Sequence, residues 1–413
     1  MKFLFVLDSV EYPLAPTPAL ARRTAGVLAQ RGHSVHLLEL WDGETAPAEE
    51  SGCTCTRIAF PDERVMNQIL ERGNPGGTPI PLRLAKLCLH PAAALAAIRQ
   101  IVLKKPHRIS AAKKAIEQLD REHSFDLIVS VAAPYAGSFA LEKAQVNSKK
   151  LSWQMDPYAG NQSYNAPGSW DREKELLNAL DGVFIAPAMA EYYAYNAPLA
   201  SFRNKMQVQD FPSLVRPQSC SETREPGPLR CVFVGSLYPG LRTPHYVLDL
   251  FQALNSPDAE LILVGGGWEN YPADLAAPYQ KILGSRLTIT GPLPRSEAEA
   301  WLQKADVLVN LGNGVANQVP SKLFEYFAAG KPILHLAKLV DDPCLSYLSR
   351  WPLSLVLQED EGTGPEVCAR LSEFLTQKGT LRLPFEQSAA LFAENTPDCA
   401  ADRLEKFCEV HSR

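Results

Sequence analysis

Ser321, Lys322 and Glu325 stand three and four positions apart in the run NGVANQVPSKLFEYFAAGKPIL, residues 313–334. At that spacing they share one face of a helix. Pro320 suits the first helical position, where its missing N–H is not needed. The free amides of Ser321, Lys322 and Leu323 then lie at the positive end of the helix dipole, which binds phosphate. Lys322 adds a full charge where the dipole disfavours one, which makes sense with an anion between them; the plain alternative is a solvated surface lysine. Glu325, one turn on, is placed to accept hydrogen bonds from ribose hydroxyls or, equally, to pair with Lys322. Leu323, Phe324 and Phe327 supply the packing side. The chemistry indicated is the binding of a nucleotide diphosphate.

Three glycine-bearing loops follow apolar runs earlier in the same half: VGSLYPGLR (234–242), VGGGWEN (264–270) and TGPLPR (290–295). Gly235, Gly265, Gly266 and Gly291 allow a backbone to approach a ligand closely or to take positive φ. Ser236, Leu293 and Arg242 accompany them. Any one of these loops also reads as a tight turn; three at corresponding strand ends, with Arg242 in the first, argue for a ligand at the carboxyl ends of the strands. No DxD pair ends a strand, and Asp341-Asp342-Pro343 reads as a helix start.

The elements that must carry these residues alternate. FLFVLD (3–8), a proline-rich loop, the helical LARRTAGVLAQRG and SVHLLEL form a βαβ unit. FDLIVSV, KLSWQMD, GVFIAP and KMQVQDF continue the apolar runs, with helical stretches such as SWDREKELLNAL between them. Such alternation implies a parallel sheet covered on both faces. Residues 215–228, VRPQSCSETREPGP, read as a linker. The alternation then restarts, with Ser296 and Glu299 as a capping box before one helix. The predicted architecture is α/β: Rossmann-like doubly wound domains over 1–214 and 229–383 facing a cleft, and a C-terminal helical segment, 384–413, packing back onto one of them.

In the first domain the strand-end candidates for a ligand are Asp8 and Glu11, Tyr135 in VAAPYAG, and Trp153, Asp156 and Tyr158 in SWQMDPYAGNQ. An aromatic ring offers a flat face and a carboxylate a proton acceptor, although tryptophan and tyrosine also serve as core. His33 and His36 show no ligand spacing and read as structural. Between Glu71 and Glu117 there is no acidic residue, while Arg72, Arg83, Lys86, Arg99, Lys104, Lys105, Arg108, Lys113 and Lys114 fall in that interval. With its apolar pieces, 72–116 reads either as an interfacial helix pair with a basic rim, giving peripheral membrane contact, or as a solvated insertion. A net charge of -5 gives no footprint for nucleic acid. Nine scattered cysteines without CxxC spacing read as reduced thiols, hence a cytoplasmic compartment. The apolar start MKFLFVLDSV is too short for a signal peptide and reads as a buried first strand.

In order and spacing, FVGSLYPGLRTPHYVLDLF, LILVGGG, the run from RLTITGPLP to ADVLVNLGN, and VPSKLFEYFAAGKPIL resemble the C-terminal donor domain of GT-B glycosyltransferases of the large retaining family 4. The N-terminal βαβ unit resembles that family's acceptor domain, which implies that Asp8, Glu11, Tyr135, Trp153, Asp156 and Tyr158 lie on the acceptor side, where aromatic rings suit a sugar face. The resemblance implies sugar transfer from a nucleotide diphosphate donor to an acceptor hydroxyl, with no cofactor or metal, and a glycan or lipid-linked acceptor. It assigns Glu325 to the nucleotide ribose, and Arg242 and Lys322 to the diphosphate. Asn317 stands eight positions before Glu325, where the family usually has a glutamate that contacts the donor sugar. An amide hydrogen-bonds sugar hydroxyls but supplies no negative charge near an oxocarbenium ion. Ser236 also departs from the family's frequent arginine, leaving Lys322 to compensate. Asn317, Arg242 and Lys322 are thus the catalytic candidates. Two other readings stand beside sugar transfer: a non-catalytic homologue that binds nucleotide sugar or a partner, and a sugar-nucleotide epimerase or hydrolase of the same fold.

Overall fold

The computed structural model describes residues 1–10, 16–41, 52–70, 80–98, 107–161, 167–217, 226–316, 319–320 and 322–410. Among the candidates named above, Glu11, Asn317 and Ser321, together with Arg72, Arg99, Lys104 and Lys105 of the basic tract, lie outside the described residues. The chain divides into two compact units, Met1–Asp210 with Pro397–Arg413, and Phe211–Thr396.

The first unit is built on seven strands: β1 (Lys2–Val10), β2 (Ser34–Trp41), β3 (Cys53–Ala59), β4 (Leu127–Ala132), β5 (Lys149–Gln154), β6 (Gly182–Ile185) and β7 (Met206–Val208). All pair in parallel, in the order β3-β2-β1-β4-β5-β6-β7. The chain runs outward from β1 through β3, then returns to the other side of β1 with β4. Strands β1 and β4 carry Phe3, Leu4, Phe5, Leu127, Ile128 and Val129 with no exposed surface, as a sheet covered on both faces requires.

The second unit has six parallel strands: β8 (Leu229–Val234), β9 (Ala259–Val264), β10 (Leu287–Gly291), β11 (Val307–Leu311), β12 (Ile333–Ala337) and β13 (Ser354–Gln358). Their order, β10-β9-β8-β11-β12-β13, is the doubly wound pattern, and its direction reverses between β8 and β11. A crevice for a ligand opens at the carboxyl ends of the strands flanking such a reversal.

The expected capping box is corrected by the structure. The helix Arg295–Lys304 takes Pro294 as its N-cap, in extended conformation and without a side-chain capping bond, so Ser296 is already inside the helix. The other end of this helix is closed by Lys331. Its buried ammonium donates to the carbonyls of Leu302 (2.8 Å), Gln303 (2.5 Å) and Ala305 (2.7 Å), satisfying acceptors that a helix end leaves open. Gly330 has φ +68°, and a Cβ there would lie 2.0 Å from the Leu383 carbonyl oxygen. The Gly-Lys-Pro that ends the run 313–334 is therefore a structural joint.

The last helix, Pro397–Val410, belongs to the first unit. Arg31 reaches its Asp402 (2.6 Å), Glu405 (3.0 Å) and Asp398 (3.2 Å), and His33 Nε2 contacts Glu405 (2.6 Å). Phe407 lies over Gly182, where a Cβ would come within 2.3 Å of the ring. Residues 384–396 stay with the second unit, as the helix Phe385–Leu391 and the turn after it.

Candidate functional site

At the reversal of the second sheet, the loop after β8 holds Arg242. Its Nη2 donates to Asn313 Oδ1 (2.8 Å) in the loop after β11, and its Nη1 to the Ser236 carbonyl (3.4 Å). A bridge of two antiparallel residues, Tyr238 and Arg242, ties off the loop that presents the side chain. Arg242 Nε is enclosed with no hydrogen-bond partner. Burial lowers its pKa from the ordinary arginine value, with nearby tyrosine and thiol groups opposing. Among the described residues no carboxylate pairs with it. A desolvated guanidinium without an anion is a costly arrangement unless an anion arrives.

The glycines pack the loops into contact. Gly235 N–H donates to the Val264 carbonyl (2.9 Å), Leu237 N–H to that of Gly266 (3.0 Å), and Gly265 N–H to that of Gly291 (3.0 Å). A Cβ on Gly265 would come 1.8 Å from the Gly235 oxygen, and one on Gly267 2.1 Å from the Leu237 oxygen. Gly314 N–H bonds the Leu241 carbonyl (2.7 Å), drawing in the loop after β11. Leu293, half-buried, packs against the core beside the β10 end. The predicted donor residues Gly235, Ser236, Arg242, Gly265, Gly266 and Gly291 thus converge.

The helix after this loop spans Lys322–Ala328. Leu323, Phe324 and Phe327 are fully buried, and Tyr326 fixes the helix to β8, where Val234 N–H donates to its hydroxyl (3.2 Å). Pro320 stands just before the helix, with Ser321 between them outside the described residues. One expectation changes here. Leu323 N–H donates to the Pro320 carbonyl (3.0 Å), so it is not a free amide for phosphate. The turn that starts the helix has already used it. Lys322 Nζ and Glu325 Oε2 form an ion pair of 2.7 Å, both half-buried. The two alternatives for Glu325 are therefore not exclusive: the carboxylate is paired here and remains at the surface.

Sequence reasoning missed the polar cluster beneath the loop after β11. His335 Nε2 contacts Asp342 Oδ2 (3.1 Å), Asn310 Nδ2 contacts His335 Nδ1 (2.8 Å), and Cys344 N–H donates to Asp342 Oδ1 (2.8 Å), all fully buried. Desolvation alone would raise the Asp342 pKa, but the bond and charge of His335 and the Cys344 donors outweigh it and hold it below the ordinary value. Burial and the Asp342 charge push the Cys344 thiol well up. His335, Asp342 and Cys344 are three potential metal ligands whose donor atoms lie within 4.8 Å of one another. Their polar atoms are engaged with each other, with Asn310 behind them. A Cβ on Gly312 would meet Asp342 Oδ2 at 2.5 Å, so this cluster sets the floor under Asn313 and Arg242. Nothing in the local sequence marks it, because its members are 25 to 34 positions from Asn310.

In the first unit the candidates separate. Asp8, at the end of β1, is buried; it accepts from Arg108 Nη1 (2.6 Å) and from Ala136 N–H (2.9 Å). Arg108 also bonds Glu63 (3.1 Å) and covers the Phe60 ring at 4.6 Å. Arg108 is thus removed from the proposed basic rim, and Lys113 is paired with Glu117 (3.2 Å). Trp153 has no exposed surface, because it lies within β5 and its ring meets Phe184 at 6.3 Å edge to face; it is core and does not face an acceptor. Tyr135, also buried, donates from its hydroxyl to the Asp156 carbonyl (2.5 Å) and meets the Tyr158 ring at 5.0 Å. Asp156 and Tyr158 remain partly exposed. Burial raises the Asp156 pKa, and among the described residues no side chain bonds its carboxylate. Glu173, unnoticed in the sequence, holds the loop after β5 by accepting from Ala159 N–H (3.0 Å) and the Tyr193 hydroxyl (2.7 Å).

Residues 228–338 match the family described as "Glycosyl transferases group 1". No curated protein matches the sequence. Among solved structures, sucrose-phosphate synthase from Thermosynechococcus elongatus is similar at 13% identity and TM-score 0.61, covering 98% of both chains. HepE from Anabaena in complex with UDP is similar at 13% identity and TM-score 0.61, over 99% of this chain and 100% of that one. A glycosyltransferase from Rickettsia africae is similar at 10% identity and TM-score 0.55, over 100% of both. At these identities the likeness is one of fold. The segment that holds Arg242, the glycine loops and the helix Lys322–Ala328 is the one that matches the glycosyl transferases group 1 family, and the chain as a whole has the GT-B fold.

Proposed function

We propose that the protein transfers a sugar from a nucleotide diphosphate donor to an acceptor hydroxyl. The observation that carries this reading is the desolvated Arg242, unpaired with any described carboxylate, at the strand-order reversal of the segment that matches the glycosyl transferases group 1 family. In the transfer, the bond from the anomeric carbon to the diphosphate oxygen breaks, the acceptor oxygen bonds that carbon, and the acceptor's hydroxyl proton passes to the departing diphosphate. Charge then builds on the diphosphate. A fixed, largely desolvated guanidinium stabilises such charge without reorganising. Lys322, freed from Glu325, adds a second cation, and Glu325 is then available to the ribose hydroxyls.

These two cations make a metal unnecessary to the proposal. Retention of configuration is proposed on the resemblance to family 4. Asp156 and Tyr158 are the acceptor-side groups favoured, since both keep exposed surface at a strand end; a glycan or lipid-linked hydroxyl suits a raised carboxylate beside an aromatic ring. The eight described cysteines are free thiols, in keeping with a cytoplasmic site of action.

The test is a thermal-shift screen against UDP-, GDP- and ADP-sugars, followed by chromatography of released nucleotide. UDP-sugars come first because the similar HepE structure carries UDP. A shift with one donor class, lost in Arg242→Ala, together with slow release of free nucleotide, is expected. A shift without release would favour the non-catalytic reading. No shift with any donor would overturn the assignment.

A further inference from the structure

Three short helices, Pro61–Leu70, Ile80–Cys88 and Pro91–Ala97, form a satellite of the first unit around Met66, Leu87, Ala93 and Ala97. This core uses only one side of the latter two helices. On the other side stand Leu82 (51% exposed), Leu89 (79%), Leu95 (48%) and Ile98 (48%). Leu82, Lys86 and Leu89 follow at helical spacing of four and three, and Leu95 and Ile98 at three, so each helix end carries an apolar stripe. Isolated exposed leucines are ordinary; four within 17 positions, on a subdomain that buries little else, form a patch.

The charges on the same helices have one sign. Residues 80–98 carry Arg83 and Lys86 and no acid, inside the longer interval free of acids from 72 to 116. Lys86 is exposed between Leu82 and Leu89, where its alkyl stem can lie along the stripe with the ammonium at the rim. A second copy of the chain docked on this face would set the same cations against one another. No described helix is long and apolar enough to cross a membrane, so these helices are suited to lying in the plane of an interface.

We propose that this face seats on a bilayer with anionic headgroups, with Leu82, Leu89, Leu95 and Ile98 entering the acyl boundary and Lys86 at the headgroup level. This surface is independent of the donor site, and its test uses no nucleotide. The full chain is floated with phosphatidylcholine vesicles and with phosphatidylcholine–phosphatidylglycerol vesicles, at low and high salt. Partition onto the anionic vesicles that weakens with salt is expected. Leu89→Glu combined with Leu95→Glu should lower it by at least about tenfold, and Lys86→Glu by about fivefold or more. All three positions are exposed, so an unchanged melting temperature and an unchanged circular dichroism spectrum will show that the variants are folded. Absence of binding to anionic vesicles overturns the proposal, as does binding that the double variant leaves intact. Sedimentation of the wild type as a dimer that the double variant dissociates would also overturn it, by assigning the face to self-association.

Discussion

Arg242 and Asn313 join the two strands that flank the reversal of the second sheet: the guanidinium Nη2 donates to the amide Oδ1 across 2.8 Å. The contact orients a cation whose Nε is left without a partner. Truncating a buried charge that meets an anion costs about 2–5 kcal/mol of binding. Arg242→Ala is therefore expected to abolish a measurable donor thermal shift, and Arg242→Lys to restore only part of it, because a point charge lacks the planar fork. Calorimetric titration with UDP and UDP-sugars checks both. Equal affinity in all three proteins would remove Arg242 from the site.

The Lys322–Glu325 pair separates binding from stability. Half-buried ion pairs three residues apart contribute at most about 1 kcal/mol to folding. Glu325→Ala should leave the urea midpoint almost unmoved while weakening donor affinity about tenfold or more, through the lost ribose contacts. A variant that unfolds early with normal affinity would mean that the carboxylate is structural.

Gly265 is held to its type by contact and by conformation. With φ +136° and the Gly235 oxygen 1.8 Å from a Cβ, Gly265→Ala must push the loops after β8 and β9 apart. An expected loss of about 1–3 kcal/mol in folding stability accompanies weakened donor binding. Gly240→Ala is the comparison: its φ of +77° is strained, but no atom lies within 4 Å, so the two should differ in donor affinity.

Asp342 predicts a dependence on acid. Its folded pKa is depressed, so its contribution to stability is fully present above the unfolded aspartate value, about 3.9, and is lost as pH falls through the folded value. Asp342→Asn should be less stable than wild type at neutral pH, and the gap should narrow below about pH 4. Urea titrations across that range measure it. A gap independent of pH would show that Asp342 is not ionised in the fold.

Lys331→Met removes the ammonium from three helix-end carbonyls and leaves them in a buried setting. A loss of about 2–4 kcal/mol is expected, measured as the shift in urea midpoint.

The apolar runs of both sheets are plain in the sequence, because strands covered on both faces cannot be polar. Edge strands are another matter. In β3, CTCTRIA is half-exposed along most of its length, and in β13 SLVLQ is too, so neither shows a continuous apolar signature. The glycine loops and Arg242 were legible because backbone approach and unpaired charge restrict residue type. Partners distant in the chain were not: Arg108 meets Asp8 across 100 positions, and no local pattern foretells that a residue from a basic tract is spent there. Lys331 shows the same limit, since a lysine between glycine and proline looks solvated until the helix that it closes is in place. Leu323 shows a third, because a helix start consumes some of the amides it seems to offer.

The return of Pro397–Val410 to the first unit means that the polypeptide crosses between the units twice, after Asp210 and after Thr396. A cut at the first crossing alone would leave the amino-terminal piece with Gly182 bare and Arg31 stripped of its acidic counterparts. Expressing that half on its own calls for grafting the terminal segment behind Asp210, and a stop codon placed late in the gene should harm the half that is made first.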